Sequence, residues 1–459
     1  MTAGDARLRL STLTRCGWAT GEFAIACHMA IISVYLLFYL TEVHHFPGAL
    51  AGTLILIPRV WNLVTDPLMG GISDRVKSRW GRRRPFLLAG AIVWALSYAA
   101  LFWMPVDLTL TGKTVWFLVT YLGVNTGLSL YHVPYSAMVA EMTRSTEERL
   151  TLLSYKEIAA RASVLLTVMA SPLIVAAAPN SLIGHRWIGV AAGCLILLSG
   201  LIAFVATASA PVVSFQPQTL SWSEQLRAFR RNKGLFRLSG VYLCSSAADA
   251  FYSAMLIYFI TVSLQLKGSL MGTLYPVGSL TAILMTSVWA GVGRRIGRRN
   301  ACAIAFTGAS ATFLLATLLP VGTYKPMLPF MVLVGAFFAG LFLLPGTMVP
   351  DTVEEDERFS GQRREGAIYG AWILTQQTGM ALGAFLVGVF LDLIGYKSAA
   401  THLASGHEAT LLRAGFALGP ALLIGLGLLF LKTVPLGGRV HAGPNLGSAK
   451  LASCHPAPP

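Results

Sequence analysis

Residues 59–85 read RVWNLVTDPLMGGISDRVKSRWGRRRP: an acid, Asp66, sits inside an apolar run that gives way at once to a dense basic turn. Helical periodicity puts Arg59, Asn62 and Asp66 on one face, at i, i+3 and i+7, with Thr65 adjacent and Pro67 relaxing the helix beside the acid. A charged side chain at the centre of a bilayer costs roughly 3 kcal/mol or more, so one that persists there binds, pairs with or moves something. Whether this run crosses a bilayer is decided by the rest of the chain.

Of the 459 residues, 55% are hydrophobic and only 12% charged, at a mean hydropathy of +0.64. Soluble domains carry about twice that charge, so a soluble core does not account for the composition. Apolar stretches of about 20 residues recur along the whole length, each able to cross about 30 Å of hydrocarbon at 1.5 Å per residue. Twelve spans are predicted, at about 19–40, 50–72, 86–105, 114–140, 156–178, 186–208, 238–264, 269–291, 301–320, 326–349, 367–394 and 410–432. The chain reads as an all-α membrane protein with an even number of crossings and both termini on one side.

A net charge of +15 and a pI near 9.8 would suit nucleic acid, so the placement of the basic residues matters. They fall in alternate loops: Arg75, Lys77, Arg79 and Arg82–Arg84 after the second span, Arg144 and Arg149 after the fourth, Arg227, Arg230, Arg231 and Lys233 after the sixth. Arg294, Arg295, Arg298 and Arg299 follow the eighth, and Arg358, Arg363 and Arg364 the tenth. The intervening loops carry scattered Lys113, Arg186, Lys267, Lys325, Lys397 and Arg413. By the positive-inside rule the rich loops and both termini are cytoplasmic, in a plasma (inner) membrane, and nucleic acid is excluded as a partner. Arg7, Arg9 and Arg15 precede a run of full helix length without a small-residue cleavage site, so the first helix is expected to be retained. Six cysteines stand singly, with no metal spacing and no disulfide framework.

The longest polar connection, 211–237, divides the chain into a first half, 1–210, and a second, 238–434; the tail 435–459 has the composition of a disordered segment. Within the connection, SWSEQLRAFRR combines a capping-box spacing, Ser221 to Glu224, with Trp222, Leu226 and Phe229 on one face, a pattern for a short helix lying on the membrane surface. The halves echo each other. GISDRVKSRWGRRRP after the second span parallels GVGRRIGRRN after the eighth, and MVAE closing the fourth, with Glu141, parallels MVPD closing the tenth, with Asp351. Two six-helix halves repeated in parallel, with a substrate site between them at mid-membrane, is the major facilitator fold.

Three segments then carry a resemblance. DPLMGGISDRVKSRWGRRRPF, HVPYSAMVAEMTRSTEERLTLLSYKE and LPGTMVPDTVEEDERFSGQRREGAIYGAWILTQQTG, in that order and in those loops, resemble the glycoside-pentoside-hexuronide:cation symporter family, whose members are melibiose-permease-like, over about the first eleven spans. The resemblance implies a secondary active transporter that couples uptake of a sugar or glycoside to a cation by alternating access. Cofactors are not expected beyond the co-transported H+ or Na+, and the protein is expected to act on a small-molecule substrate as a monomer in the bilayer. Animal lysolipid symporters share the broader group and a similar HVPYSA segment, which keeps a lysolipid or other amphiphile open as substrate. An enzyme would need a nucleophile with a base or a metal pair such as H-E-x-x-H, and the sequence has none. The doublet His44–His45 reads as a solvated outer loop.

By the resemblance, Glu22 occupies the position of a first-helix carboxylate that holds sugar hydroxyls. A carboxylate can accept two hydrogen bonds from neighbouring hydroxyls; the alternative is a carboxylate that snorkels to water or pairs with Arg15. Asp66 matches a cation-site aspartate, with Asn62 and Thr65 beside it; the alternative is a structural pair with Arg59. Where the family has a second carboxylate on this helix the chain has Asn62, where it has an aspartate on the fourth the chain has His132, and its eleventh-helix lysine corresponds to Gln377. Two anionic ligands are gone, and a histidine can carry a proton near neutral pH, which favours proton over sodium. Tyr131 and Tyr135, with Asn125 and Ser129, offer aromatic and polar contacts for a sugar or simply pack. Asp249 stands alone in the seventh span, with Trp372, Gln376 and Gln377 on the eleventh. Asp74, Arg75, Arg79, Glu141, Arg149 and Asp351 suit ion pairs that close the inward side and break as the halves rock.

Overall fold

In hydrocarbon every backbone N–H and C=O must find its partner inside the protein, which leaves helices as the economical solution for an open chain. The computed structural model describes residues 10–76, 78–143, 145–210, 232–360, 365–396 and 406–434, and among them there is no strand. Twelve long helices follow in order: α1 Thr12–Ile31, α2 Gly48–Arg75, α3 Arg84–Phe102, α4 Leu110–Met142, α5 Thr146–Ala177 and α6 Ser181–Ala206. The second six are α7 Lys233–Tyr258, α8 Met271–Ile296, α9 Arg298–Leu315, α10 Met327–Ser360, α11 Glu365–Leu393 and α12 Gly406–Thr433. The surface helix expected within 211–237 and the tail 435–459 lie outside the described residues, apart from the start of α7.

Several helices outrun their expected spans. α10 continues through Asp351 and Glu354–Glu357 to Ser360, and α5 begins at Thr146 behind a Ser145 cap whose hydroxyl accepts from the Glu148 amide. Beyond the hydrocarbon a charged residue no longer penalises the helix, so hydrophobicity marks where the membrane ends and not where the helix does. Among the described residues, ten helices other than α2 and α4 are long and apolar enough to cross a membrane by length and composition. These two carry the polar faces singled out above, and they pack against each other.

The first half is assembled by α3 on α4 and α6, and by α1 on α5 and α6; the second by α7 on α11 and α12, and by α10 on α8 and α9. The internal repeat extends to the way helices stop. α1 runs out through π turns at Ile32–Leu36 and Tyr39–Val43, where His44 N–H donates to the Tyr39 carbonyl and Phe46 N–H to Leu40; α7 ends in a π turn at Phe259–Ser263, where Leu264 N–H donates to Phe259 and Leu266 N–H to Ile260. Each terminator places a non-glycine residue in the left-handed region, His45 at φ 57° and Gln265 at φ 53°.

The two halves meet along α2–α11 and α5–α8, with α7 also touching the first π turn of α1. At the arginine-poor end the seam is tight. Gly48 N–H and Ala49 N–H, the exposed first amides of α2, donate to the Asp392 carboxylate of α11 at 2.6 and 2.8 Å, so an acid from one half caps a helix of the other. A Cβ built on Gly48 would lie 2.5 Å from the Gly388 carbonyl oxygen, and one on Gly52 3.0 Å from that of Phe385. The Thr41 hydroxyl bonds that of Tyr258 across the same seam. Gly388→Val should wedge it apart. In a background without native cysteines, a cysteine placed at Thr41 should then react several-fold faster with an impermeant maleimide; an unchanged rate would show that the seam does not depend on glycine there.

His44 is buried, not solvated, while His45 is exposed. The Tyr39 hydroxyl gives its proton to the Phe102 carbonyl at 3.1 Å, so His44 Nε2, 2.9 Å away, must donate to Tyr39, and its Nδ1 is left bare. Burial, then the charges of Lys113, His185, Arg186 and His45, push the ring down to about 3. Below the ordinary histidine value of about 6.5 the unfolded chain takes up a proton that the folded one refuses, so stability falls as pH drops from there, by at most ~1.4 kcal/mol per pH unit. Unfolding in detergent should lose less stability between pH 7 and 5 in His44→Gln than in the native protein. Equal losses would place the acid sensitivity elsewhere.

Candidate functional site

Asn62 and Thr65 project from α2 one turn apart, and Asn125 and Ser129 from α4 at i and i+4, so the two helices meet rung on rung. Asn62 Nδ2 donates to Asn125 Oδ1 at 3.1 Å, and Asn125 Nδ2 to the Tyr121 carbonyl at 2.8 Å. The Thr65 and Ser129 hydroxyls are 3.0 Å apart, and Ser129 donates to Asp66 Oδ1. Ser129 has one proton and commits it to the carboxylate, while the Thr65 hydroxyl has two acceptors in reach, Ser129 at 3.0 Å and the Trp61 carbonyl at 3.3 Å; donation along the shorter contact gives a hydroxyl relay that ends on Asp66. Asn62 Oδ1 is buried and has no hydrogen-bond partner among the described residues. The candidates Asn62, Thr65 and Asp66 are thus gathered at one junction, together with Asn125 and Ser129; the side chain of Arg59 is outside the described residues.

Glu22 faces Lys156 of α5, with Oε2 3.3 Å from Nζ and only 14% of the side chain exposed. The pair lacks hydrogen-bond geometry at Oε2, which leaves that oxygen an unused acceptor. Arg15, the alternative partner read from the sequence, instead holds Glu148 in a fork at 2.7 and 3.0 Å, tying the starts of α1 and α5. Beside Glu22, Tyr135 stacks on Trp18 at 4.9 Å and on Tyr131 at 5.6 Å, and donates to the Trp18 carbonyl at 3.1 Å. Both tyrosines are fully buried, and the Tyr131 hydroxyl has no partner. Gly21 makes room for that hydroxyl, since a Cβ there would come within 2.5 Å of it. His132 is half-buried one residue on, and the charge acting on it is Lys156.

In the second half Tyr242 lies flat on Trp372, ring centroids 3.9 Å apart and 7° from parallel, which joins α7 to α11. Asp249, two turns beyond Tyr242 on α7, is half-buried, as are Gln376 and Gln377 of α11. Tyr252 does not join them; it packs among Phe313, Phe338 and Phe416 with its hydroxyl on Met331 sulfur at 3.6 Å. Lys156 and Tyr242 were missed as site residues. Tyr242 had a signal in its i, i+7 spacing from Asp249, whereas Lys156 is marked only by a distant helix.

At the arginine-rich end Arg83 bridges Asp74, at 2.8 Å, and Glu141, which also takes Arg82. Arg298 grips Asp351 through two nitrogens at 2.6 and 3.2 Å. The repeat is visible again: an arginine at the start of α3 or α9 holds an acid near the end of α4 or α10. Arg149 Nε donates to the Thr143 carbonyl at 3.1 Å, Arg79 lies 4.8 Å over the Trp80 ring, and Arg75 is exposed. These ion pairs join helices of one half, so here the candidate gate residues are sorted within halves and not between them.

A family model described as MFS/sugar transport protein matches residues 17–438. The chain is 29% identical over 405 residues to the glucuronide carrier protein homolog of Escherichia coli, covering 84% of this chain and 85% of that one. It is 24% identical to the isoprimeverose transporter of Lactiplantibacillus pentosus, covering 91% and 88%. The fold matches solved structures of a bacterial homolog of the human lysosomal transporter Spinster, at TM-score 0.64, 12% identity and coverage of 92% and 94%. The nucleoside transporter NupG also matches, at 0.61, 15%, 92% and 100%. The chain belongs to the MFS/sugar transport family and is a multi-pass membrane transporter, not an enzyme, as the resemblance implied.

The Glu22–Lys156 pair is testable by a double-mutant cycle. Lys156→Met leaves a carboxylate alone in a mostly dry place, whereas adding Glu22→Gln removes the need for a partner. Both groups keep some exposure, so a coupling of about 1–2 kcal/mol is expected in unfolding measurements. Additive single losses would show that the pair contributes nothing.

Proposed function

We propose that the chain takes up a sugar or glycoside with a proton, by alternating access, and that the structure is the state closed at the outer face. The observation that carries the coupling is the relay Thr65–Ser129–Asp66, in which one carboxylate is served by a hydroxyl of a neighbouring helix. Protonation of Asp66 would release Ser129 to seek another acceptor, so proton binding and the α2–α4 contact are linked. A sodium ion is a hard cation that wants several oxygen ligands with charge among them, and Asn62 and His132 replace two carboxylates expected of a sodium site. That favours the proton.

Glu22 with Lys156 on one side, and Asp249 with the Tyr242–Trp372 stack on the other, supply what a sugar needs: acceptors and a donor for hydroxyls, and aromatic faces. His132, Gln376 and Gln377 extend that polar lining, while Tyr131 and Tyr135 back it. The names of two relatives, a glucuronide carrier homolog and an isoprimeverose transporter, support a glycosidic substrate. The arginine-rich end is assigned to the cytoplasm. Asp392 on the α2 N-terminus supports an outer seam that must open for loading, and Asp74, Arg75, Arg79, Glu141, Arg149 and Asp351 would exchange partners when the inner side closes.

The test uses purified protein in vesicles with a labelled glycoside. Native protein should accumulate it uphill under an imposed proton gradient without sodium. Asp66→Asn should abolish accumulation while counterflow exchange persists in part. Unimpaired accumulation by Asp66→Asn would refute its coupling role, and uptake driven only by a sodium gradient would overturn the proton.

A further inference from the structure

Beside the basic turn of residues 79–84 lies a cavity of about 200 Å³, floored by the end of α4 and walled by the turn that closes α6. Four arginines line it, Arg79 and Arg82–Arg84, and their charges are unequally answered. Arg82 and Arg83 face Glu141, and Arg83 also takes Asp74. Arg84 gives three of its N–H donors to carbonyls, Nε and an Nη to Phe204 at 3.1 and 2.7 Å and the other Nη to Trp80 at 3.3 Å, and keeps an N–H on each Nη. Among the described residues Arg79 meets the face of Trp80, at 4.8 Å, and no carboxylate. Two guanidinium charges therefore lack an anion among the described residues.

The surroundings identify the missing anion. From the cavity rim the exposed face of α6 runs away as a strip of Leu198, Leu201, Ile202 and Val205, a surface built to lie against hydrocarbon. Trp80, 40% exposed and set edge-on against Phe204 at 5.5 Å, marks the level where headgroups begin. A free anion would use the arginines alone; a molecule with a charged head and an apolar chain would use both.

We propose that this cavity is a binding site for an anionic phospholipid, its phosphodiester on Arg79 and Arg84 and an acyl chain along α6. The site touches both the Asp74–Arg83–Glu141 ion pairs and the α3–α6 contact, so an occupied headgroup would brace the basic turn in the arrangement seen. Nothing in this assignment requires a particular transported substrate or coupling ion.

Native mass spectrometry of the purified full chain tests it with phosphatidylglycerol and phosphatidylcholine of matched acyl chains, and with inorganic phosphate. Phosphatidylglycerol should bind in preference to phosphatidylcholine, and Arg79→Gln, which removes no contact within the protein beyond one ring face, should weaken it about five-fold. Arg79→Lys should restore part of the loss, and Arg295→Gln, an exposed arginine on α8, should cause none. Equal binding of both lipids, or an undiminished affinity in Arg79→Gln, overturns the proposal. Displacement of the lipid by millimolar inorganic phosphate also overturns it, in favour of a free-phosphate site. Because Arg84 ties α3 to α6, Arg84→Gln is read alongside its thermal unfolding; a folded Arg84→Gln that binds phosphatidylglycerol normally refutes the site as drawn.

Discussion

A carboxylate inside an apolar bundle has to be answered, and Asp66 is answered by Ser129 of α4. That one bond constrains much of the first half. It fixes which face of α2 meets α4, and the Asn62–Asn125 and Thr65–Ser129 rungs follow at helical spacing. Both helices carry this polar face through otherwise apolar spans. Such helices are held in the bilayer by packing between more apolar neighbours: α4 lies on α3, whose exposed Ile92, Val93 and Leu96 meet lipid in its place.

The seam between halves obeys a different rule. Hydrophobic burial gives little preference for one helix pairing over another in lipid, so close approach depends on small residues and on polar contacts. Gly48, Gly52 and Gly388 permit the approach of α2 to α11, and Asp392 adds charge-assisted bonds to amides that no helix can satisfy internally. The Asp392 carboxylate and its bond to Ala49 lie at the exposed rim, where water can replace either partner if the seam parts. A seam sealed by interlocked large side chains would lack this reversibility.

The sequence made the architecture legible because hydropathy, loop charge and the internal echo all have fixed spacings. Local pairs were readable for the same reason: Glu157 and Arg161 sit at i, i+4 and bond at 2.8 Å. Partners set by the fold were not. Arg15 lay seven residues from Glu22 and looked like its mate, yet it reaches Glu148 on α5, and Glu22 meets Lys156 from that same helix. The two contacts keep the same order because α1 and α5 run side by side in the same direction, so Arg15 near the start of α1 meets Glu148 near the start of α5, and Glu22, two turns on, meets Lys156, two turns on. The helix extension at Thr146, invisible to hydropathy, supplies Glu148 and so decides the Arg15 pair. His44 was misread for a related reason: a π turn carries it back against Tyr39, where loop composition predicted water.

The repeat also shows where the halves have parted. Their terminators and their arginine–acid clasps are duplicated, features that a rocking pair of bundles needs on both sides. Their interiors are not. The first half carries the hydroxyl relay and the Glu22–Lys156 pair; the second has Asp249 near a parallel Tyr242–Trp372 stack and an aromatic core around Phe313 and Phe416. A chain that needed only a symmetric hinge could have kept both interiors alike. The carboxylate relay of the first half lies on α2, and α2 is the helix whose N-terminus Asp392 holds across the seam. The Asp66 relay and the joint between halves thus lie on one helix, about five turns apart along α2, and the same helix packs on both α4 and α11.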